Sequence, residues 1–210
     1  METSVSSKSF FSADKKLTFL LLLIVTYVVL YIKIVFIENE TAAFEFLADR
    51  PEGTVLSALA ALRFISVPII YLWKFTVIGF VIWVGSFMWG YRVTFSQCWG
   101  VAIVSEFIFV VPELIKIFWY FVVDTDPSYP EIKAFYPLSL MNLYDYTEID
   151  PRYGYPLRAL NFFELVYWYL LTTGIHFFAR KKKDIAMLIV LSSYVLMFFL
   201  WLWFYTVVYK

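Results

Sequence analysis

Long apolar runs separated by short polar joins fill the chain from Leu17 to Tyr209. A helix that crosses a bilayer needs about 20 consecutive, mostly apolar residues. Five stretches qualify: Leu17–Phe36, Val67–Trp89, Cys98–Val123, Ala159–Phe178 and Ile185–Tyr209. The pattern predicts an all-α integral membrane bundle of five transmembrane helices. In the first run Lys33 stands near one end, where its ammonium group can snorkel to the interface. That run is longer than the ~7–15 apolar residues at the centre of a signal peptide. Although TAA at Thr41–Ala43 is a faint cleavage-like feature, a retained anchor is expected.

The basic residues then orient the bundle, because short cytoplasmic joins carry the excess of Lys and Arg. Lys8, Lys15 and Lys16 precede the first run, Arg92 joins the second to the third, and Arg180–Lys183 joins the fourth to the fifth. The opposite side holds Glu38, Glu40, Glu45, Asp49 and Glu52 in one connection and Asp124, Asp126, Glu131, Asp145, Glu148 and Asp150 in the other. Its only basic residues are Arg50, Arg63, Lys133, Arg152, Arg158 and Lys210. With five spans this predicts a cytoplasmic N-terminus and a C-terminus outside. The run Arg180–Lys183 also suits contact with anionic headgroups.

Composition agrees with the pattern. The 210 residues are 62% hydrophobic and 22% aromatic, and the mean hydropathy is +0.75. Soluble domains average about 45–50% apolar, and one small core cannot absorb the excess. The lipid bilayer is therefore the first partner implied. A formal net charge of zero excludes a strongly electropositive protein built for nucleic acid. One cysteine, Cys98, excludes an internal disulfide and a multi-cysteine metal site, and one histidine, His176, excludes a histidine-rich metal centre. No metal and no cofactor is expected.

The whole chain, 1–210, reads as a single polytopic membrane domain with a short cytoplasmic tail over 1–16. The outer connection 37–66 is acidic at first, then continues as TVLSALAALRFIS from Thr54. This piece is expected to be an interfacial helix, or an upward extension of the second span kinked near Pro68. The outer connection 124–158 contains five prolines and six tyrosines. It is expected to be an ordered, aromatic-pinned segment, either functional or a cover with its tyrosines at headgroup level.

Within the apolar runs stand Lys74, Glu106, Glu113, Lys116, Asn161 and Glu164. At about 1.5 Å per residue, Lys74, Glu113, Lys116 and Glu164 fall within reach of one layer in the outer half, with Asn161 a turn above Glu164. Glu106 falls deeper, one heptad before Glu113 and on the same helical face. A charge at the centre of a span costs about 2.5–3.5 kcal/mol on insertion scales, so these side chains face the bundle interior or water and find partners. Glu113 can pair with Lys116 along the helix or with Lys74 across helices. Two readings stay open: pairs that fix helix register, or a solvated polar cavity that binds an ion, a proton or a polar ligand. Pro112 favours the second, because a proline frees a backbone carbonyl.

No catalytic residue is expected. His176 follows Thr172, Thr173 and Gly174 near a span end, where a lone histidine is an interfacial hydrogen-bonding residue. The chain has no G-x-S-x-G, no H-E-x-x-H and no P-loop.

The join between the second and third spans reads GYRVTFSQCWGVAIVSEFIFVVPELI, Gly90 to Ile115, and the fourth span opens LNFFELVYWYLLTTGI, Leu160 to Ile175. A short glycine-containing turn, a Phe-x-Gln helix start, a helix reaching a proline, a Leu-x-x-Phe opening and a glycine near the exit resemble the Yip family of membrane proteins (Ypt-interacting proteins and their bacterial relatives). The resemblance covers Pro68–Tyr209. It implies five spans and a role in membrane organisation. Two family features are missing: a long cytoplasmic N-terminal domain and an Asp-Leu-Tyr-Gly-Pro motif near the first span. The association of eukaryotic members with small GTPases is therefore not carried over, and a bacterial cytoplasmic membrane is expected ahead of a eukaryotic endomembrane. The expected function is that of a non-enzymatic scaffold or assembly partner, bound to another membrane or outer-side protein. The alternative is a small transporter or channel component that uses Lys74, Glu106, Glu113, Lys116 and Glu164. The inner joins are too short for the coupling loop of an ABC-type permease. Oligomeric state is left open by the sequence.

Overall fold

The computed structural model describes residues 11–38, 41, 51–124, 127–180 and 182–209, with 51–57, 59 and 60 described in backbone only. Residues 1–10 of the tail, the TAA step beyond Thr41, and Glu40, Glu45, Asp49, Arg50, Asp126, Lys181 and Lys210 lie outside the described residues, as does the side chain of Glu52.

The described residues are helical almost throughout. In chain order the helices are α1 (Lys15–Lys33), α2 (Pro51–Met88), α3 (Phe95–Glu106), α4 (Val110–Val122), α5 (Tyr129–Ala134), α6 (Pro151–Ala159), α7 (Phe162–Ala179), α8 (Lys183–Val190) and α9 (Leu196–Val208). No β-strand occurs among the described residues; a single antiparallel bridge links Ser139 and Asn161. Three helical stretches are long and apolar enough to cross a membrane: Lys15–Glu38, Ala61–Met88 and Lys183–Val208. They expose large apolar side chains such as Leu21, Ile69, Trp73, Phe87 and Trp203, which suit contact with lipid.

The other two expected spans differ from these three for local reasons. The third breaks into α3 and α4 around a 3-10 turn at Phe107–Phe109. Pro112 has no N–H to give the carbonyl of Ile108, so the regular ladder lapses just before it. The fourth, α7, has 18 residues, about 27 Å, and is less apolar, with Glu164 and His176 inside it.

Thr54–Pro68 lies within one continuous helix with the second expected span. The helix α2 runs unbroken for 38 residues with Pro68 inside it. Pro68 strips the Phe64 carbonyl of its helical donor, and the Tyr27 hydroxyl replaces that donor at 3.0 Å. The Tyr27 and Phe64 rings stack at 6.0 Å.

The chain forms two compact units, whose boundaries fall inside or next to helices. The first comprises Met1–Leu22, Tyr71–Ile108 and Phe163–Lys210. Its core holds Leu22, Phe75, Ile82, Ile103, Leu171 and Ile189, all fully buried. Gly90 makes the turn after α2 with φ of 73°, a left-handed conformation that side chains disfavour. Thr94 then starts α3 through a capping box with Gln97. On α7, Gly174 permits a close helix approach: a Cβ there would stand 2.5 Å from Val101 Cγ1. Between α8 and α9 a π turn over Leu191–Val195 lets Ser193 donate to the Ile189 carbonyl at 2.6 Å.

The second unit comprises Leu23–Ile70 and Phe109–Phe162. Its core is Val29, Ile37, Ile117, Tyr120 and Ile132. The described part of this connection, 127–158, is folded here into α5, a 3-10 turn at Leu140–Leu143 and α6. Ser128 caps α5 in a box with Glu131, and Asp150 caps α6. The bridge is closed by Leu140 N–H to Leu160 O at 3.0 Å and Phe162 N–H to Leu138 O at 3.1 Å.

Candidate functional site: two buried polar clusters

In the first unit α2 supplies Lys74, the end of α3 supplies Glu106, and the first turn of α7 supplies Glu164. Lys74 Nζ meets Glu106 Oε1 at 2.5 Å. Glu106 is 3% exposed, while the Lys74 side chain keeps 36% of its surface. Lys74 and Glu164 are close enough to interact electrostatically. Glu164 Oε1 accepts from Trp168 Nε1 at 2.8 Å and from the Tyr194 hydroxyl at 2.9 Å. The helix N-terminus adds its own favourable field to that carboxylate. Tyr167, fully buried, packs edge-on against Tyr194 with ring centroids 5.5 Å apart.

With all three ionised, two carboxylates and one ammonium leave a formal charge of −1, which the Trp168 and Tyr194 donors help to offset. Among the described residues, Glu106 Oε2 is buried without a hydrogen-bond partner, as is the neighbouring Ser105 Oγ. An acceptor of this kind can take a proton, a cation or a water. Among the described residues His176 also keeps a buried Nδ1 without a partner.

The second unit uses its charges differently. Glu113 on α4 pairs with Lys33 at 3.0 Å. Lys116, only 5% exposed, donates to the backbone carbonyls of Ile132 and Phe135, the latter at 2.9 Å. Arg63 bonds Glu38 at 2.5 Å and the Tyr129 hydroxyl at 3.2 Å. Asn161 donates to the carbonyls of Arg158 and Ala159, each at 3.0 Å, and Arg158 reaches the Lys133 carbonyl at 2.5 Å.

The sequence-predicted residues therefore divide, with Lys74, Glu106 and Glu164 in one unit and Glu113, Lys116 and Asn161 in the other. The pairings read from spacing alone differ from those observed. Glu113 turns to Lys33, and Lys74 turns to Glu106. The shared face assumed for Glu106 and Glu113 relied on unbroken α-helical phase. Three 3-10 residues at about 120° each shift that phase by about 60°. Lys33, read as an interfacial snorkel, is an ion-pair partner. Sequence reasoning also missed Arg63, Tyr129, Trp168 and Tyr194. Trp168 was detectable at one turn from Glu164, but the others meet their partners across long sequence separations.

No family model, no curated protein and no solved structure matches the chain.

Proposed function

We propose that the protein is a non-enzymatic multi-pass membrane protein that acts as a scaffold or assembly partner. In this reading it has five spans, a cytoplasmic N-terminus, an outer C-terminus and a place in the bacterial cytoplasmic membrane. The carrying observation is the segment 127–162. Lys116 and Arg63 hold it to the rest of its unit and Arg158 ties it internally to the Lys133 carbonyl, while Leu138, Leu143 and Tyr144 stay 63%, 75% and 60% exposed. Ordering a segment and leaving large apolar side chains uncovered suits a surface that receives a partner. The Yip-family resemblance is part of the same proposal, supported by the Gly90 turn and the Thr94–Gln97 start of α3.

Photo-crosslinking from Leu143 and Tyr144 in native membranes tests the scaffold. The expected result is a discrete protein adduct that disappears when Lys116→Met loosens the segment. Adducts with lipid alone would contradict it. Cysteine labelling at Ser7 and Tyr209 in a Cys98→Ser background tests the topology, and labelling of both from one side would overturn it.

The second reading, a small transporter or channel component, draws support from the open Glu106 Oε2 beside Lys74 and Glu164. It predicts ion or proton flux in liposomes that Glu106→Gln abolishes. A complete absence of flux would remove it.

A further inference from the structure

The second unit contains a cleft of about 220 Å³ between α4, α5 and the turn that follows. Trp119, Tyr120 and Phe135 form one side of it. Their rings brace one another: Trp119 stacks on Phe135 at 5.5 Å, and Tyr120 meets Phe135 edge-on at 5.7 Å. Tyr120 is fixed further by donating its hydroxyl to the Glu131 carbonyl at 3.2 Å. Tyr144 and Tyr146 contribute two more rings, and Asp124 and Glu131 contribute two carboxylates. Glu131 and Asp124 both lie close enough to the Tyr120 hydroxyl to act on it electrostatically. The Ser128 backbone N–H holds the Glu131 carboxyl below its usual range, so it is ionised at neutral pH. Among the described residues neither carboxylate is taken up in an ion pair.

Aromatic faces carry negative quadrupole potential, and a pocket that joins them to carboxylates attracts a cation. Its chemistry selects among cations. Calcium asks for six to eight oxygen ligands, and no group of three or more metal-ligating side chains occurs among the described residues. Five rings favour instead a soft, weakly hydrated organic ammonium. The volume is below the roughly 300–1,000 Å³ of drug-sized sites, which limits the ligand to headgroup size. We infer that this cleft is a binding site for a small organic ammonium group, carried by a zwitterionic lipid headgroup or by a free amine. The scaffold reading does not enter this inference, because the cleft lies within one unit.

Choline chloride titrated against the full chain in dodecyl maltoside, with sodium chloride at equal ionic strength as reference, tests it through saturation transfer to the trimethyl protons. Saturable binding is expected. Asp124→Asn and Tyr144→Leu should each weaken it about fivefold, while Glu148→Gln, exposed and outside the cleft, should change it less than twofold. Tyr144 is 60% exposed, so its variant reports on the cleft even if Asp124→Asn folds poorly. Nanodiscs separate the two sources. Choline that binds in phosphatidylglycerol discs but is excluded from phosphatidylcholine discs identifies the lipid headgroup. Equal binding in both identifies a free amine. No saturable choline binding, or binding that neither variant alters, overturns the site.

Discussion

Lys74 in the first unit and Lys116 in the second are both lysines set in apolar helices, yet their ammonium groups are bonded by different means. Lys74 meets a carboxylate from a neighbouring helix, Glu106. Lys116 meets two backbone carbonyls, of Ile132 and Phe135. The difference follows from what surrounds each. The first unit's described residues are nearly all regular helix, whose carbonyls are already bonded, so a cation set among them needs a side-chain anion. The second unit contains short helices and turns that leave carbonyls without helical donors. There a cation serves as the missing donor and fixes a non-helical segment in place. One residue type thus joins helices in one unit and holds a connection in the other.

The largest effect is expected where the cation serves backbone. Lys116→Met removes the donor to two carbonyls, and a buried acceptor left without a partner costs about 1–3 kcal/mol. A loss of about 3 kcal/mol in thermal or denaturant unfolding is expected. A loss under 1 kcal/mol would erase the contrast with the first unit.

Next comes the side-chain pair. Removing one member of a buried pair costs about 3–5 kcal/mol in soluble proteins, whereas cross-helix hydrogen bonds in membranes average about 0.6 kcal/mol. Glu106→Gln is expected to cost about 1–2 kcal/mol, because Lys74 retains enough exposure to reorient. Lys74→Met combined with Glu106→Leu should recover most of that loss. If the double variant is as unstable as the single one, the pair is not what Glu106 contributes.

A smaller effect is expected at Tyr27. Its hydroxyl supplies the Phe64 carbonyl that Pro68 leaves without a donor, and Tyr27→Phe should cost about 1 kcal/mol. Restoring the helical donor with Pro68→Ala in the Tyr27→Phe background should return the difference. Failure to do so would separate the tyrosine from the proline.

The smallest effect is a pH dependence at the exposed start of α5. The Ser128 N–H lowers the Glu131 carboxyl below its ordinary value. A depressed folded value gives stabilisation that is complete above the unfolded value, about 4.3, and lost as pH falls through the lowered one. The capping box should therefore fray only in acid, below about pH 4.3. Amide exchange at Glu131 followed from pH 6 to pH 3 checks this, and Glu131→Gln, which removes the titrating carboxyl, should flatten the profile.

Much of the helical content was legible because apolar runs persist: Leu17–Phe36 falls inside Lys15–Glu38, and Ile185–Tyr209 matches Lys183–Val208 except for its last residue. The division of Cys98–Val123 was less so. Pro112 marks a disturbance in the sequence, but the 3-10 turn it accompanies lies three to five residues earlier. The candidate charges were all visible as anomalies in apolar runs. Their partners were not, because helical spacing predicts neighbours on one helix whereas Lys33–Glu113 and Arg63–Glu38 pair across it. The acceptors of Lys116 were the least legible of all. They are carbonyls of Ile132 and Phe135, available only because the connection folds into a short helix with Ile132 buried beneath it.

Lys116 holds segment 127–162 as a folded surface. Hydrogen–deuterium exchange of the full chain in nanodiscs, comparing the wild type with Lys116→Met, tests it most directly. The account predicts protected amides at Ile132–Phe135 in the wild type, released in the variant, while amides of α7 stay protected in both. Rapid exchange across 127–162 in the wild type, or protection unchanged by the substitution, would contradict it.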